Sequence, residues 1–201
     1  MIPQSYNIRR IECKIAKQYI HKYHYSKGSH NGPSPCYGLF DNDNLIGCLM
    51  FATPCSENVR KSLFSELYKN SVVELHRFHI QDCTPKNTES WFIARCIKEL
   101  KKDRPITLGI ISFADPTEGH TGTIYKATNF ILDGTSSPAR FYRDCNGRLR
   151  HPRQSGVNIS IQQAKEWGWT IEPRMGKLRY IMLLNKKAKF LFKQYRQNAK
   201  I

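Results

Sequence analysis

An α/β fold with a mixed central sheet flanked by helices, carrying a basic C-terminal extension, is predicted by three features of the sequence. Strand-like and helix-like periodicities alternate along the chain, so helices are expected to cover a sheet. Residues 106–113 form a mostly apolar, β-branched run, as expected of a strand buried on both faces. Beyond residue 139 the composition turns to arginine and then lysine.

The elements follow in order. Residues 6–11 alternate weakly and are predicted as a first strand. Ile15, Ala16, Tyr19, Ile20 and Tyr23 recur at helical spacing, which predicts a helix over residues 12–23 that fades at Ser26-Lys27-Gly28. After a polar loop, residues 36–40 and 45–52 are strand-like. Asp41-Asn42-Asp43-Asn44 between them is turn chemistry, so a hairpin is predicted. Residues 58–69 are read as one short helix and 71–80 as a strand. The clearest helix is 88–103, where Phe92, Cys96, Ile97 and Leu100 share a face and Asn87 or Thr88 can cap the start.

Pro105 breaks the chain before the 106–113 strand. A polar loop, 114–120, leads to a short helix near 121–129 and a further strand from Phe130. Asp144-Cys145-Asn146-Gly147 reads as a hairpin turn, 161–167 as helical, 178–184 as a last strand and 186–200 as a basic tail helix. No repeat or linker divides the chain, so one domain is expected over residues 1–201. Its core is placed at about 6–136 with 177–184, a basic insertion at about 137–176, and the tail at 185–201.

Of the 201 residues, 40% are hydrophobic, enough to build a core. Lys and Arg number 32 against 16 acidic residues, and the net charge of +16 points to a polyanionic partner, nucleic acid before a membrane surface. No stretch approaches the roughly 20 apolar residues of a spanning helix. Residues 1–10 hold no apolar stretch of the secretory kind. The seven cysteines are odd in number and form no C-x-x-C pair, which argues against a disulfide framework or zinc ribbon and for a reducing, cytoplasmic setting.

Three stretches carry a family resemblance: Tyr23-His24-Tyr25-Ser26-Lys27, Glu74-Leu75-His76-Arg77-Phe78, and Ala114-Asp115 followed by the segment from Gly119 to Phe130. They resemble the phage Mom family, and the order of elements is similar to that of the GNAT acetyltransferase superfamily. The resemblance covers about residues 19–184 and leaves the tail outside. It implies a GNAT-like fold and a phage enzyme in the cytoplasm of an infected bacterium. That enzyme would place a carbamoylmethyl group on adenine N6 of double-stranded DNA, drawing on a small-molecule group donor, and so protect the DNA from restriction.

The donor is not legible. An acyl-CoA is one candidate, yet the loop where such folds hold the CoA pyrophosphate with glycines reads Gln81-Asp82-Cys83-Thr84-Pro85-Lys86-Asn87-Thr88, without any. A carbamoylmethyl product also carries a CH2 on nitrogen, so the reaction resembles alkylation more than acyl transfer.

Within these stretches, Asp115 ends a buried strand before a proline and could accept a hydrogen bond from the adenine amine, raising its nucleophilicity; it could also simply open a turn. Tyr125 could stack on a base, act as an acid, or fill the core. Arg77 in a sheet interior needs a polar cleft or a carboxylate. Glu74 lies three residues away, which regular alternation sends to the opposite face. His24 and Tyr25 follow the first helix, where the acceptor is received in such folds. His24, Tyr25 and Asp115 together could ligate iron. Ser112 reads as a polar lining group. Arg140, Arg143, Arg148, Arg150 and Arg153, interleaved with Phe141 and Tyr142, suit phosphate and base contacts, with Lys27 as a further DNA contact. Two other readings stay open: an acyl-CoA-dependent N-acyltransferase acting on protein or a small amine, and a nucleic-acid-binding protein without catalysis.

Overall fold

A computed structural model describes residues 1–25, 28, 35–154 and 157–198. Its strands are β1 (Tyr6–Ile11), β2 (Cys36–Asp41), β3 (Asn44–Ala52), β4 (Val72–Ile80), β5 (Gly109–Ala114), β6 (Ile131–Thr135), β7 (Ala139–Arg143), β8 (Leu149–Arg150), β9 (Arg153–Gln154), β10 (Val157–Asn158), β11 (Thr170–Arg174) and β12 (Leu178–Leu183). Its helices are α1 (Cys13–Tyr23), α2 (Glu57–Lys61), α3 (Thr88–Asp103), α4 (Thr123–Ala127), α5 (Ile161–Glu166) and α6 (Lys186–Asn198). The chain groups into two compact units. The first holds residues 1–112, 123–132 and 180–201; the second holds 113–122 and 133–179.

In the first unit, β1 to β4 pair antiparallel in chain order and β4 pairs parallel with β5. The sheet is therefore mixed, and its full strand order is β1-β2-β3-β4-β5-β12-β6. Alternation gives each face its own helix. Cys36, Cys48 and Met50 pack on Ala16, Tyr19 and Ile20 of α1. On the other face Phe78 lies 6.1 Å from Phe92 of α3, and buried Tyr37 donates to Asp103 Oδ2 at the end of α3 (2.8 Å). Covered on both sides, β3 is buried from Ile46 to Ala52.

Besides a register shift between Leu39 and Phe40 in the β2–β3 pair, two irregularities of this sheet bear on the site. Met50 pairs with Arg77 but Phe51 pairs with Leu75, so His76 is an extra residue, a β-bulge in β4. The parallel pairing of β4 with β5 stops at Glu74–Ile111; next along, Ser112 Oγ donates to Leu75 O (2.9 Å), so a side chain takes over where the ladder ends.

Several predicted elements shift. The single helix expected over 58–69 is a short α2 and a 3-10 turn, Glu66–Ser71, separated by Ser65 at φ 95°. Between them Leu63 and Phe64 are both buried, and Lys61 and Lys69 bridge Glu57 and Glu66. The strand expected from Ile106 starts at Gly109, because Thr107 N donates to Arg104 O (3.0 Å) to close a turn. α1 ends at Tyr23: His24 is extended, its amide bonding Ile20 O. That is short of the expected glycine stop, and Ser26 and Lys27 lie outside the described residues. Asn87 heads α3 through its left-handed backbone, without a side-chain cap.

The second unit is built on a three-stranded sheet, β11-β7-β8, and a two-strand ribbon, β9 with β10. The predicted hairpin turn is present, organised by Asp144. Its Oδ1 accepts from the amides of Asn146 and Arg148 (both 2.9 Å), and Oδ2 accepts from Arg150 Nε (2.7 Å). A small core gathers Tyr142, Ile159, Ala164 and Trp169. α5 begins with a capping box between Ser160 and Gln163. Strand β11 is an addition to the predicted elements.

Candidate active site

The bulge at His76 decides which side chains meet. Met50 and Ala52 share a face of β3; Arg77 pairs with the first and Glu74 with the second. Glu74 and Arg77 therefore share the α1 face, and the expectation from regular alternation is corrected. The extra residue resets the count by one. His76 Nδ1 sits 3.2 Å from Glu74 Oε1.

Arg77 is partly buried. Its Nε donates to Gly28 O and its Nη1 to His76 O, both at 2.7 Å. Burial lowers its pKa, against the opposing pull of Tyr25, Glu74, Cys55 and Tyr125, which all lie within electrostatic reach. The guanidinium is thus pinned by carbonyls, with Glu74 as the nearby carboxylate.

Tyr125, on α4, is half-buried. Its ring lies 5.5 Å from Phe130 and 5.2 Å from Tyr180. Its hydroxyl is hydrogen-bonded to the side chain of Ser112, and burial raises its pKa, with Tyr25 and Glu74 adding and Ser112 and Arg77 opposing. Ser112 is fully buried and links Tyr125 to the end of the β4–β5 ladder. His24 and Tyr25 stack on each other at 4.4 Å just past α1. The first unit therefore brings Arg77, Tyr125, Ser112 and Tyr25 together, with His24 beside Tyr25. Sequence reasoning missed Glu74 as a partner; the one signal that could have revealed it is the change of apolar phase from Val73 and Leu75 to Phe78 and Ile80.

Asp115 belongs to the second unit, where its surroundings are different. It is buried and caps the 3-10 turn Pro116–Glu118, Oδ1 accepting from Thr117 N (3.0 Å). Its Oδ2 accepts from Arg174 Nη2 (3.1 Å) and lies 3.5 Å from Lys177 Nζ. Burial pulls its pKa up, but Arg174, Lys177 and the Thr117 amide outweigh it, and the carboxyl is held below its ordinary range. Arg174 also donates to Glu118 (2.6 Å) and covers the Phe141 ring at 5.3 Å. The turn reading of Asp115 is thus realised, and Arg174 is a residue the sequence did not flag.

Asp115, the only carboxylate of the expected iron set, faces two cations, Arg174 and Lys177. Among the described residues no group of three or more His, Cys, Asp or Glu is arranged to hold a metal. In the loop before α3, the Thr84 and Thr88 amides donate to Gln81 O and Pro85 O, and Glu89 stands in the first helical turn.

The five arginines between residues 140 and 153 divide. Arg143 donates to Glu172 Oε2 (2.7 Å) and to Gly147 O (2.7 Å), and Arg150 is bound to Asp144. Arg140, Arg148 and Arg153 are exposed. Lys27 lies outside the described residues. No helix among the described residues is long and apolar enough to cross a membrane.

Comparison with solved structures gives the fold. Spermidine N-acetyltransferase from Vibrio cholerae, in a dodecameric structure in an intermediate state, matches 95% of this chain and 99% of its own with a TM-score of 0.52 at 11% identity. An N-acetyltransferase from Staphylococcus aureus Mu50 matches 90% of this chain and 99% of its own, with a TM-score of 0.53 at 11% identity. The fold is that of the GNAT acetyltransferases. In sequence, the methylcarbamoylase mom of Escherichia phage Mu is 27% identical over 191 residues, covering 90% of this chain and 77% of that protein. The Mom protein family model matches residues 5–200, so the match takes in the basic tail that the sequence resemblance had left outside. The chain belongs to the Mom protein family.

Proposed function

We propose that this chain is a DNA-modifying transferase that adds a carbamoylmethyl group to adenine N6, acting in the cytoplasm of an infected bacterial cell and protecting the modified DNA from restriction. The observation that carries this reading is the family match over residues 5–200, which contains every residue of the Arg77–Ser112–Tyr125 group.

The geometry supports a division of roles. His24 and Tyr25 offer stacked rings to receive the base. Arg77 supplies a cation held by neutral carbonyls, suited to the developing negative charge on a group donor. Nitrogen N6 is a weak nucleophile because its lone pair is delocalised into the ring, so a proton acceptor assists it. Glu74 shares the face of Arg77 and takes this role, since the oxygens of Asp115 are held by Arg174, Lys177 and Thr117. As the N6–CH2 bond forms, the bond from that carbon to the donor's leaving group breaks, and the leaving group departs with the electron pair. The N6 proton passes to Glu74, and Tyr125, backed by Ser112, protonates the leaving group. Asp115 acts as a positioning residue for Arg174 and the turn at Pro116. The loop before α3 has no glycine to let backbone amides close on a pyrophosphate, which disfavours an acyl-CoA as donor.

The test is mass spectrometry of nucleosides from DNA of cells expressing the protein. A deoxyadenosine product heavier by one carbamoylmethyl group is expected. Unmodified DNA from cells that contain the folded protein and the phage's other functions would refute the reading.

A further inference from the structure

We infer that the second unit grips the phosphate backbone of double-stranded DNA through Arg140, Arg148 and Arg153, while Arg143 and Arg150 build the hairpin that carries them. The inference rests on DNA being the substrate and goes on to assign where it is held.

Positive charge is left over in this unit. Its carboxylates are Asp115, Glu118, Asp133, Asp144, Glu166 and Glu172. Asp115 and Glu118 are bound by Arg174, Asp133 by Arg179, Asp144 by Arg150 and Glu172 by Arg143. Glu166 accepts from Gln162 (3.1 Å). Among the described residues none pairs with Arg140, Arg148 or Arg153, so with Lys165 these carry the unit's surplus positive charge.

Lysine would serve solubility equally well. Three exposed guanidiniums instead offer planar forks that match phosphate oxygens in pairs. The hairpin also spaces them. Asp144 N bonds Arg148 O, so Arg148 stands level with Asp144, four residues along the strand line from Arg140. At a strand's rise this is about 13 Å, or about four base steps of duplex. Near Arg148 in the chain, Cys145 Sγ lies 3.2 Å from the backbone carbonyl of Trp167, a residue with an exposed side chain.

The test is fluorescence anisotropy of a labelled, adenine-containing duplex, without donor, from about 50 to 200 mM NaCl. Replacing Arg140, Arg148 and Arg153 together by Ala is expected to weaken binding at least tenfold. It should reduce the slope of log K against log salt by up to about 2.7, at about 0.9 for each phosphate no longer neutralised. The single variant Arg148→Gln should lower it by about 0.9 with an unchanged melting temperature, which separates weaker phosphate binding from a folding defect. A triple variant with the parental slope overturns the inference. So does a loss of slope confined to the variant in which Lys187, Lys189 and Lys193 of α6 are replaced by Ala. If the triple variant loses slope but cells make no modified adenine, the docking face stands and the proposed reaction falls. If adenine is modified and the slope is unchanged, the docking face alone falls.

Discussion

Arg77 and Arg174 are both arginines drawn in from solvent, and their partners are opposite in kind. Arg77, in the first unit, is hydrogen-bonded only to two carbonyl oxygens, which fix its direction, with the Glu74 carboxylate within electrostatic reach but in no ion pair with it among the described residues. Arg174, in the second, is set among Asp115, Glu118 and Glu172 and covers an aromatic ring. A guanidinium held by neutral acceptors keeps its field for an incoming anion or a developing negative charge. One surrounded by carboxylates has its field cancelled within the fold. The difference separates a residue arranged for chemistry from one arranged for structure, although both are charged and sheltered.

The largest effect that would break this contrast is on turnover. Arg77→Gln keeps donors for the carbonyls of Gly28 and His76 but removes the charge. Modification should fall about 100- to 1000-fold, the scale of losing a donor to transition-state charge, with a nearly unchanged melting temperature. An active Arg77→Gln protein would place Arg77 with Arg174 as a structural group.

The reciprocal change, Arg174→Ala, should unfold the protein more easily, by about 3 kcal/mol in urea melts, because it strands the buried Asp115 carboxylate. Lys177 remains to soften the loss. A stable Arg174→Ala protein that had lost only activity would reverse the contrast.

Acid sharpens it further. Asp115 is held below the ordinary carboxylate range, so its contribution is complete above about pH 4 and is lost as pH falls through its lower folded value. An Asp115→Asn protein should therefore lose less stability than the parent as pH falls below about 4, because that contribution is already absent, and urea melts followed by circular dichroism at several pH values show the difference.

The smallest effect belongs to Ser112. Ser112→Ala removes the hydroxyl that bonds Leu75 O and supports Tyr125, at about 1 kcal/mol of stability. If Ser112 also tunes Tyr125, the alkaline limb of the pH–rate profile should move; a purely structural serine would leave the profile in place.

Much of the fold was legible because periodicity reports burial. The α3 limits and the β2–β3 hairpin follow from apolar spacing and turn residues alone. The His76 bulge left only a faint trace, a shift of the apolar phase from Val73 and Leu75 to Phe78 and Ile80, and its position appears in pairing with β3. For the same reason Glu74 was assigned to the wrong face. Strand β11 hid behind Glu172, Pro173 and Arg174, which carry no strand signature. Asp115 was visible as a carboxylate after a strand, but its partner Arg174 lies 59 residues away, and nothing local announces an ion pair at that distance in sequence. The residues of the site were therefore readable, and their pairing was not.

The most direct measurement compares DNA nucleosides, by mass spectrometry, from cells expressing the parent chain and its Arg77→Gln variant at equal soluble levels. Carbamoylmethyl-deoxyadenosine is expected with the parent, and its near-complete loss with the variant. Equal amounts of product from both proteins, or none from the parent, would contradict the role given to Arg77 and the proposed reaction respectively.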